Sequence, residues 1–293
     1  MTSSGEAPSQ LSGLEIADAD IPLLVDVWLS SLEAVADLAG SLTQAQWQTA
    51  SPCPGWSAGD VVAHVLALES EFHGDPYPQH QPDWGSLPHA STPVGRYMEV
   101  PVDWRRSRDR ASIVAELREV IELRRKDLTP APTDPDEQVA GPAGISMDRR
   151  KMICTRILDN FVHEQDIRQA AGLPGSLDTD QAWVTAGRFA SAIPFVWGKR
   201  VAAPVGSSLT IDITGPGVQF TRSVKVAEDG RARFIEGPRP QSPTVLLRCS
   251  WPVYVMLAAG RTGAVASAHG GAAEVAGDPE LVERLLPALA ITP

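Results

Sequence analysis

Apolar and polar residues alternate with a helical period through roughly the first two thirds of the chain. Apolar residues recur at helical spacing in these segments: residues 20–38, 57–74, 109–128, 147–171 and 178–201. Ser57 is a residue type that caps helix N-termini, and Gly74 is the type that follows helix C-termini. Pro194 interrupts the last segment because proline lacks a backbone N–H group. The pattern therefore predicts a bundle of helices.

The pattern changes in the last part of the chain, where short segments alternate with a period of two. The predicted strands are residues 207–214, 218–226, 231–235 and 244–249. Two further helices are predicted at residues 251–259 and 279–289. We therefore expect an α+β protein, with a helical bundle over residues 13–203 and a smaller α+β domain over residues 204–293.

A long segment without a clear period, residues 75–108, separates the second and third helices. Connections longer than about 12–15 residues are usually either functional lids or disordered. Trp84, Tyr97 and Trp104 offer apolar surface for packing, so we expect an ordered lid. Residues 95–106 are predicted to roof a pocket, with their arginines facing an anionic substrate.

Composition narrows the possible partners and the compartment. The chain has 25 Lys and Arg against 36 Asp and Glu, a net charge of −11, which disfavours nucleic-acid binding. Cys53, Cys154 and Cys249 lie far apart, which fits a reducing compartment better than a disulfide framework. Cys53 and Trp56, in the turn before the second helix, are predicted to pack. Residues 1–10 are polar and no apolar run approaches the ~20 residues of a membrane span, so a cytoplasmic protein without a membrane partner is expected.

Three side chains are candidates for a metal site. Asp159 and His163 are four residues apart on the predicted fourth helix, so they project from one face about one turn apart. His64 lies on the apolar side of the second helix and is the candidate third ligand, which would leave a position open. Asp166 is placed to orient the second nitrogen of a ligand imidazole. The alternatives are a core histidine, a surface Asp–His pair, and a surface charge at Asp166.

Three segments carry a resemblance to a known family. They are residues 51–64 (SPCPGWSAGDVVAH), residues 159–168 (DNFVHEQDIR) and residues 257–261 (LAAGR). Together they resemble the mycothiol-dependent maleylpyruvate isomerase family, which is built on the DinB-like metal-binding bundle. The resemblance covers nearly the whole chain. It implies a four-helix bundle with a metal site, followed by a domain similar to sterol-carrier proteins.

The resemblance implies roles for particular residues. His64, Asp159 and His163 fall on the family's metal ligands, although the family commonly has Glu where this chain has Asp159. Aspartate is one methylene shorter, so it must lie closer to the ion or bind through water. Two imidazoles and a carboxylate suit several divalent ions, so the expectation of zinc rests on the family. Arg261 resembles the arginine that the family places near its active site, where it would hold a substrate carboxylate through two hydrogen bonds.

The expected function is that of a metal-dependent S-transferase or cis–trans isomerase. It would use mycothiol as cosubstrate and act on a small electrophile, as a monomer or homodimer. Two alternatives stay open at this point. One is a hydrolase that uses the same ligands to activate water. The other is a non-catalytic carrier in which the C-terminal domain binds an apolar molecule. A requirement for thiol separates transfer from hydrolysis, and metal content separates an enzyme from a carrier.

Overall fold

The computed structural model describes residue 14 and residues 19–292 of the chain. The polar residues 1–10 lie outside the described part of the chain. Helices make up most of the first part of the described chain, and a sheet with helices follows, so the predicted α+β class is confirmed. Within residues 19–292, no helix combines the length and the apolar character that crossing a bilayer requires.

The described residues form two compact units, residues 19–175 and residues 176–292. The division therefore lies before the predicted boundary between residues 203 and 204. The reason is that the helix Asp180–Phe195, which the sequence pattern places last in the bundle, packs against strands of the C-terminal unit. Helical period alone does not tell which partner a helix packs against.

The N-terminal unit is built from helices and one short hairpin. Its elements are α1 (Ile21–Ser41), α2 (Gln44–Trp47), α3 (Ala58–His73), α4 (Pro93–Arg105), α5 (Arg110–Asp127), β1 (Gln138–Ala140), β2 (Ser146–Asp148) and α6 (Arg149–Ala171), with 3₁₀ turns at Trp84–Ser86 and Pro142–Gly144. Helices α1, α3, α5 and α6 pack together as a four-helix bundle. They coincide with the first four predicted helices, which are thereby confirmed.

Local capping fixes the start and end of α3, the helix that carries His64. The Ser57 hydroxyl accepts a hydrogen bond from the Asp60 backbone N–H (3.1 Å), and the Asp60 carboxylate accepts one from the Ser57 N–H (2.9 Å). This reciprocal pair satisfies backbone donors that the helix itself leaves unpaired. Gly74 ends the helix at a φ of 99°, a left-handed conformation that glycine adopts without steric penalty.

The lid segment, residues 75–108, is more regular than its sequence predicts, because it contains α4. The Thr92 hydroxyl accepts a hydrogen bond from the Gly95 N–H (3.0 Å), and Pro93 occupies the first turn, where its missing N–H is tolerated. Pro101 lies inside the helix, where proline normally breaks the pattern. Because of that internal proline, the sequence pattern does not predict a helix here.

The C-terminal unit contains α7 (Asp180–Phe195) and a five-stranded sheet with short helices. Its other elements are β3 (Ser208–Thr214), β4 (Phe220–Val226), β5 (Ala232–Phe234), β6 (Val245–Ser250), α8 (Trp251–Ala258), α9 (Ala264–Ser267), β7 (Ala273–Gly277) and α10 (Pro279–Ala288). The strand order is β5-β4-β3-β6-β7, and only the β3–β6 pair is parallel. Strand β7 was not predicted, because its Ala- and Gly-rich sequence has weak strand propensity.

Candidate metal centre

Helices α3 and α6 bring the three predicted ligands together. His64 Nε2 lies 3.6 Å from one carboxylate oxygen of Asp159, and His163 Nε2 lies 3.6 Å from the other. One ligand atom from each residue falls within 4.8 Å of the other two. Zinc–ligand bonds of about 2.0–2.2 Å in a tetrahedron place neighbouring ligand atoms about 3.3–3.6 Å apart. The two imidazole–carboxylate distances are therefore close to those between donors around one small cation, and both are longer than a direct hydrogen bond.

The protonation of His64 fits the same role. Its side chain is buried, and burial lowers the pKa of His64 below the ordinary value of 6.5, although Asp159 opposes the shift. The imidazole is therefore neutral near pH 7, which is the form that binds a metal ion. The residues present thus fit a divalent cation in donor type, spacing and charge.

Asp166 lies where a residue that orients His163 would lie. Its carboxylate is 3.0 Å from His163 Nδ1, on the side of the ring away from Asp159. A proton on Nδ1 would be shared with Asp166 and would leave Nε2 free to bind a cation. Burial would lower the pKa of His163, but the carboxylates of Asp159 and Asp166 raise it above 6.5.

Asp159 reaches both imidazoles from α6 although it is one methylene shorter than glutamate. The carboxylate oxygen that faces His64, Oδ2, also accepts a hydrogen bond from the buried Arg156 (2.8 Å). Burial would raise the pKa of Asp159, but the charges of His163 and Arg156 hold it well below the ordinary value of 3.8. Asp159 is therefore a carboxylate at neutral pH, held in place by a neighbour on its own helix.

Arg156 belongs to a buried polar network that the sequence pattern does not reveal. It donates to Glu69 from two nitrogens (3.0 and 3.2 Å) and to Asn160 (3.1 Å). Glu69 is fully buried and also accepts from Trp28 (3.1 Å) and Arg124 (3.4 Å). The only signal in the sequence is a polar stripe on α6 at helical spacing, which continues through Asp159 to His163.

An indole covers the two imidazoles. The Trp56 ring centroid lies 4.9 Å from that of His64 and 6.1 Å from that of His163. The Trp56 N–H donates to the buried Glu99 of α4 (2.7 Å). His89 and Arg106 also lie within 2.9 Å and 2.6 Å of Glu99 oxygens. Trp56 therefore packs on the candidate ligands and is tied to the lid segment.

Cys53 also lies near the candidate ligands, which sequence reasoning did not anticipate. Cys53, His163 and Asp166 each offer a potential ligand atom, and these atoms lie within 4.8 Å of one another. The thiol is half-buried. His163 is thus shared by two groups of potential ligands, with Nδ1 facing Asp166 and Nε2 facing Asp159.

A cavity of about 230 Å³ opens beside His64 within the N-terminal unit. One wall is a face of α3, and the opposite wall is formed by α4 and the residues before it. The lid segment therefore lines a pocket, as predicted. Its arginines are engaged by protein groups: Arg96 donates to the Ala90 carbonyl, Arg105 to Glu116 (2.8 Å), and Arg106 pairs with Asp60, Glu99 and Asp103.

Residues 28–168 match the family model described as the mycothiol maleylpyruvate isomerase N-terminal domain. This range includes His64, Asp159 and His163 together with the cavity. The N-terminal unit is similar to this family's N-terminal domain.

Solved structures agree with this assignment at the level of fold. A crystal structure of the mycothiol-dependent maleylpyruvate isomerase is similar over 84% of this chain and 91% of that chain, with a TM-score of 0.51 and 14% identity. A histidine-to-alanine mutant of that enzyme is similar over the same shares, with a TM-score of 0.50 and 13% identity. A search of curated proteins found no match.

The remaining residue that the maleylpyruvate isomerase resemblance singles out, Arg261, follows α8 in the C-terminal unit. Its side chain is buried, and one guanidinium nitrogen donates to the Ala259 carbonyl (2.9 Å). The contact of Arg261 with a substrate carboxylate stays a prediction.

Proposed function

We propose that this protein is a metal-dependent enzyme that uses a low-molecular-weight thiol, mycothiol on family grounds, to transfer sulfur to a small electrophile or to isomerise it. The observation that carries the proposal is the convergence of His64, Asp159 and His163 beside a cavity. Zinc is the proposed ion, from the family and from the compatible donor set. When bound, such an ion supplies the charge that favours a thiolate over a thiol.

The protein groups have distinct parts in this proposal. His64, Asp159 and His163 hold the cation, while Asp166 keeps Nε2 of His163 directed at it. Trp56 covers the imidazoles and limits the access of water to them. The cavity beside His64 receives the electrophile.

The two reactions share the addition of the thiolate and diverge only after it. In isomerisation the thiolate sulfur adds to an activated double bond, the resulting single bond rotates, and the thiolate is expelled, so the thiol is not consumed. In transfer the new carbon–sulfur bond persists: the carbanion left by addition takes up a proton from water, or halide leaves where the electrophile is an aryl halide, and the thioether is the product. The thiolate is the nucleophile in both cases.

Metal analysis of His163→Ala tests the proposed centre. We expect the purified wild-type chain to hold about one equivalent of a divalent metal, and His163→Ala to lose it while its circular dichroism stays helical. His73→Ala is the matched control, because His73 also lies on the bundle but pairs with Asp127 (2.8 Å) away from the ligands. Full metal content in His163→Ala contradicts the ligand assignment.

A thiol requirement tests the chemistry. The wild-type protein is incubated with an electrophilic alkene or aryl halide, with and without mycothiol, and products are separated chromatographically. We expect turnover only with thiol. Turnover without thiol would favour the hydrolase, and a wild-type protein without metal whose ligand binding survives chelation would favour the carrier.

A further inference from the structure

The lining of the cavity beside His64 changes in chemical character along α3. His64, Leu68 and Glu71 lie at helical spacing on the face that lines it, so the wall changes from imidazole to aliphatic to carboxylate. The rise of about 1.5 Å per residue places His64 and Glu71 about 10 Å apart along the axis. A molecule with its reacting atom at the metal centre therefore extends past Leu68 toward Glu71.

The opposite wall is aromatic and apolar. Tyr97, Met98, Pro101 and Trp104 of α4 line the cavity at helical spacing. Apolar cavities of about 150 Å³ accept a benzene ring. The 230 Å³ present here therefore have room for a ring and a short substituent.

Two tyrosines are held at the far end. Tyr77 and Tyr97 are stacked, with ring centroids 4.7 Å apart, and the Tyr77 hydroxyl donates to the Tyr97 carbonyl (2.6 Å). Burial and the charge of Glu71 raise the pKa of Tyr77 to about 12, and burial and Glu71 raise the pKa of Tyr97 as well. Both rings are therefore neutral and fixed, and they form a ready platform for another planar group.

The charge of the lining disfavours an anion. Glu71, Asp75 and Glu116 line the cavity, and Arg105 is the only cation among its described lining residues. Arg105 donates to Glu116 (2.8 Å) and to the Pro101 carbonyl (3.2 Å) through its terminal nitrogens, while its buried Nε has no hydrogen-bond partner among the described residues. Three carboxylates against one guanidinium leave the lining with a net negative charge. A carboxylate at the far end would lose water and meet a lining of net negative charge.

We propose that this cavity binds the body of the electrophilic substrate, and that this body is an aromatic or other planar apolar group, neutral or cationic at its far end and not carboxylated there. The reacting atom lies at the His64 end. The fate of the bound molecule rests on the proposed thiol chemistry, but its binding does not.

Three probes that share a benzyl or phenyl ring separate shape from charge: benzyl alcohol, benzylammonium and benzoate. Their affinities for the full-length chain are measured by calorimetry with zinc and after chelation. The charge order is read after chelation, because a carboxylate can bind zinc directly. We expect benzylammonium to bind about tenfold more tightly than benzoate, with benzyl alcohol between them.

Variants assign the binding to this cavity. Trp104→Ala, at a position that is 42% exposed, should weaken the binding of all three probes. Glu71→Gln should weaken benzylammonium about fivefold and leave benzyl alcohol unchanged. Glu119→Gln is the control, since it removes the same charge from an exposed site outside the cavity.

Equal or tighter binding of benzoate after chelation, or unchanged binding in Trp104→Ala, would overturn the assignment. Probe binding with the expected charge order in a protein that shows no thiol-dependent turnover would leave the cavity assigned and refute only the proposed function. Thiol-dependent turnover with no probe binding would support the proposed function and refute the cavity assignment.

Discussion

The bond between Asp166 and His163 gives the sharpest test of how the centre is held. Asp166→Asn keeps the size of the side chain but removes its charge. It also allows an amide N–H to face His163 Nδ1, which would place the imidazole proton on Nε2, the atom needed for metal binding. The variant therefore changes the tautomer of His163 without removing a candidate metal ligand.

The structure sets the expected size of the effect. The bond is 3.0 Å long and joins a carboxylate that is 1% exposed to an imidazole that is 5% exposed, so water cannot replace it. Hydrogen bonds to charged groups contribute about 1.5–3 kcal/mol. This corresponds to a loss of about 10- to 150-fold in zinc affinity, in line with the effect of other groups that orient ligand histidines.

Zinc affinity is measured by competition with a chromophoric chelator between about pH 6 and pH 9, together with urea unfolding of the metal-free variant. Because Asp166 helps to raise the pKa of His163, the pH below which protons compete with zinc should move downward in Asp166→Asn. A purely structural role would not move that pH. Asp37→Asn, at a side chain that is 75% exposed, is the control. A folded Asp166→Asn variant with wild-type affinity and an unshifted pH profile would refute the reasoning.

Three further outcomes are expected. Glu69→Ala should lower the free energy of unfolding by about 3–5 kcal/mol, because buried arginines lose their shared carboxylate; urea denaturation measures this, with Glu119→Ala as the exposed control. Zinc affinity of the wild-type chain should fall about tenfold per unit as pH drops through the raised pKa of His163, since a protonated imidazole cannot bind metal; an affinity independent of pH would contradict this. Arg261→Ala should raise KM without changing metal content, and an unchanged KM would remove Arg261 from substrate binding.

The helices and the ligand pair could be predicted because both depend on local spacing. Asp159 and His163 lie one turn apart on any helix, and the cap at Ser57 fixes where α3 begins. His64 was a candidate because it interrupts an apolar face, but only packing of α3 against α6 makes it a neighbour of the pair. That packing depends on the whole bundle, and the period of one helix does not encode it.

Other features cannot be predicted from one sequence segment at a time, because they depend on tertiary contacts. The helix α4 contains Pro101, whose local penalty is offset by tertiary contacts that the sequence does not display. Glu69 and Arg156 look like surface charges, because a buried pair differs from an exposed one only in what surrounds it. Trp56 was expected to pack, but its partners are the imidazoles, which lie elsewhere in the sequence.

The buried carboxylate of Glu99 joins the α4 wall of the cavity to the indole above the imidazoles. A ligand that displaces α4 from α3 must stretch or break the bond from Trp56, and the indole is then free to swing away. Binding of a ligand large enough to displace α4 would therefore also expose His64 and His163 to water. Binding of such a ligand should therefore be accompanied by faster solvent exchange at the two histidines, and the ligand itself would control when the candidate metal centre is exposed.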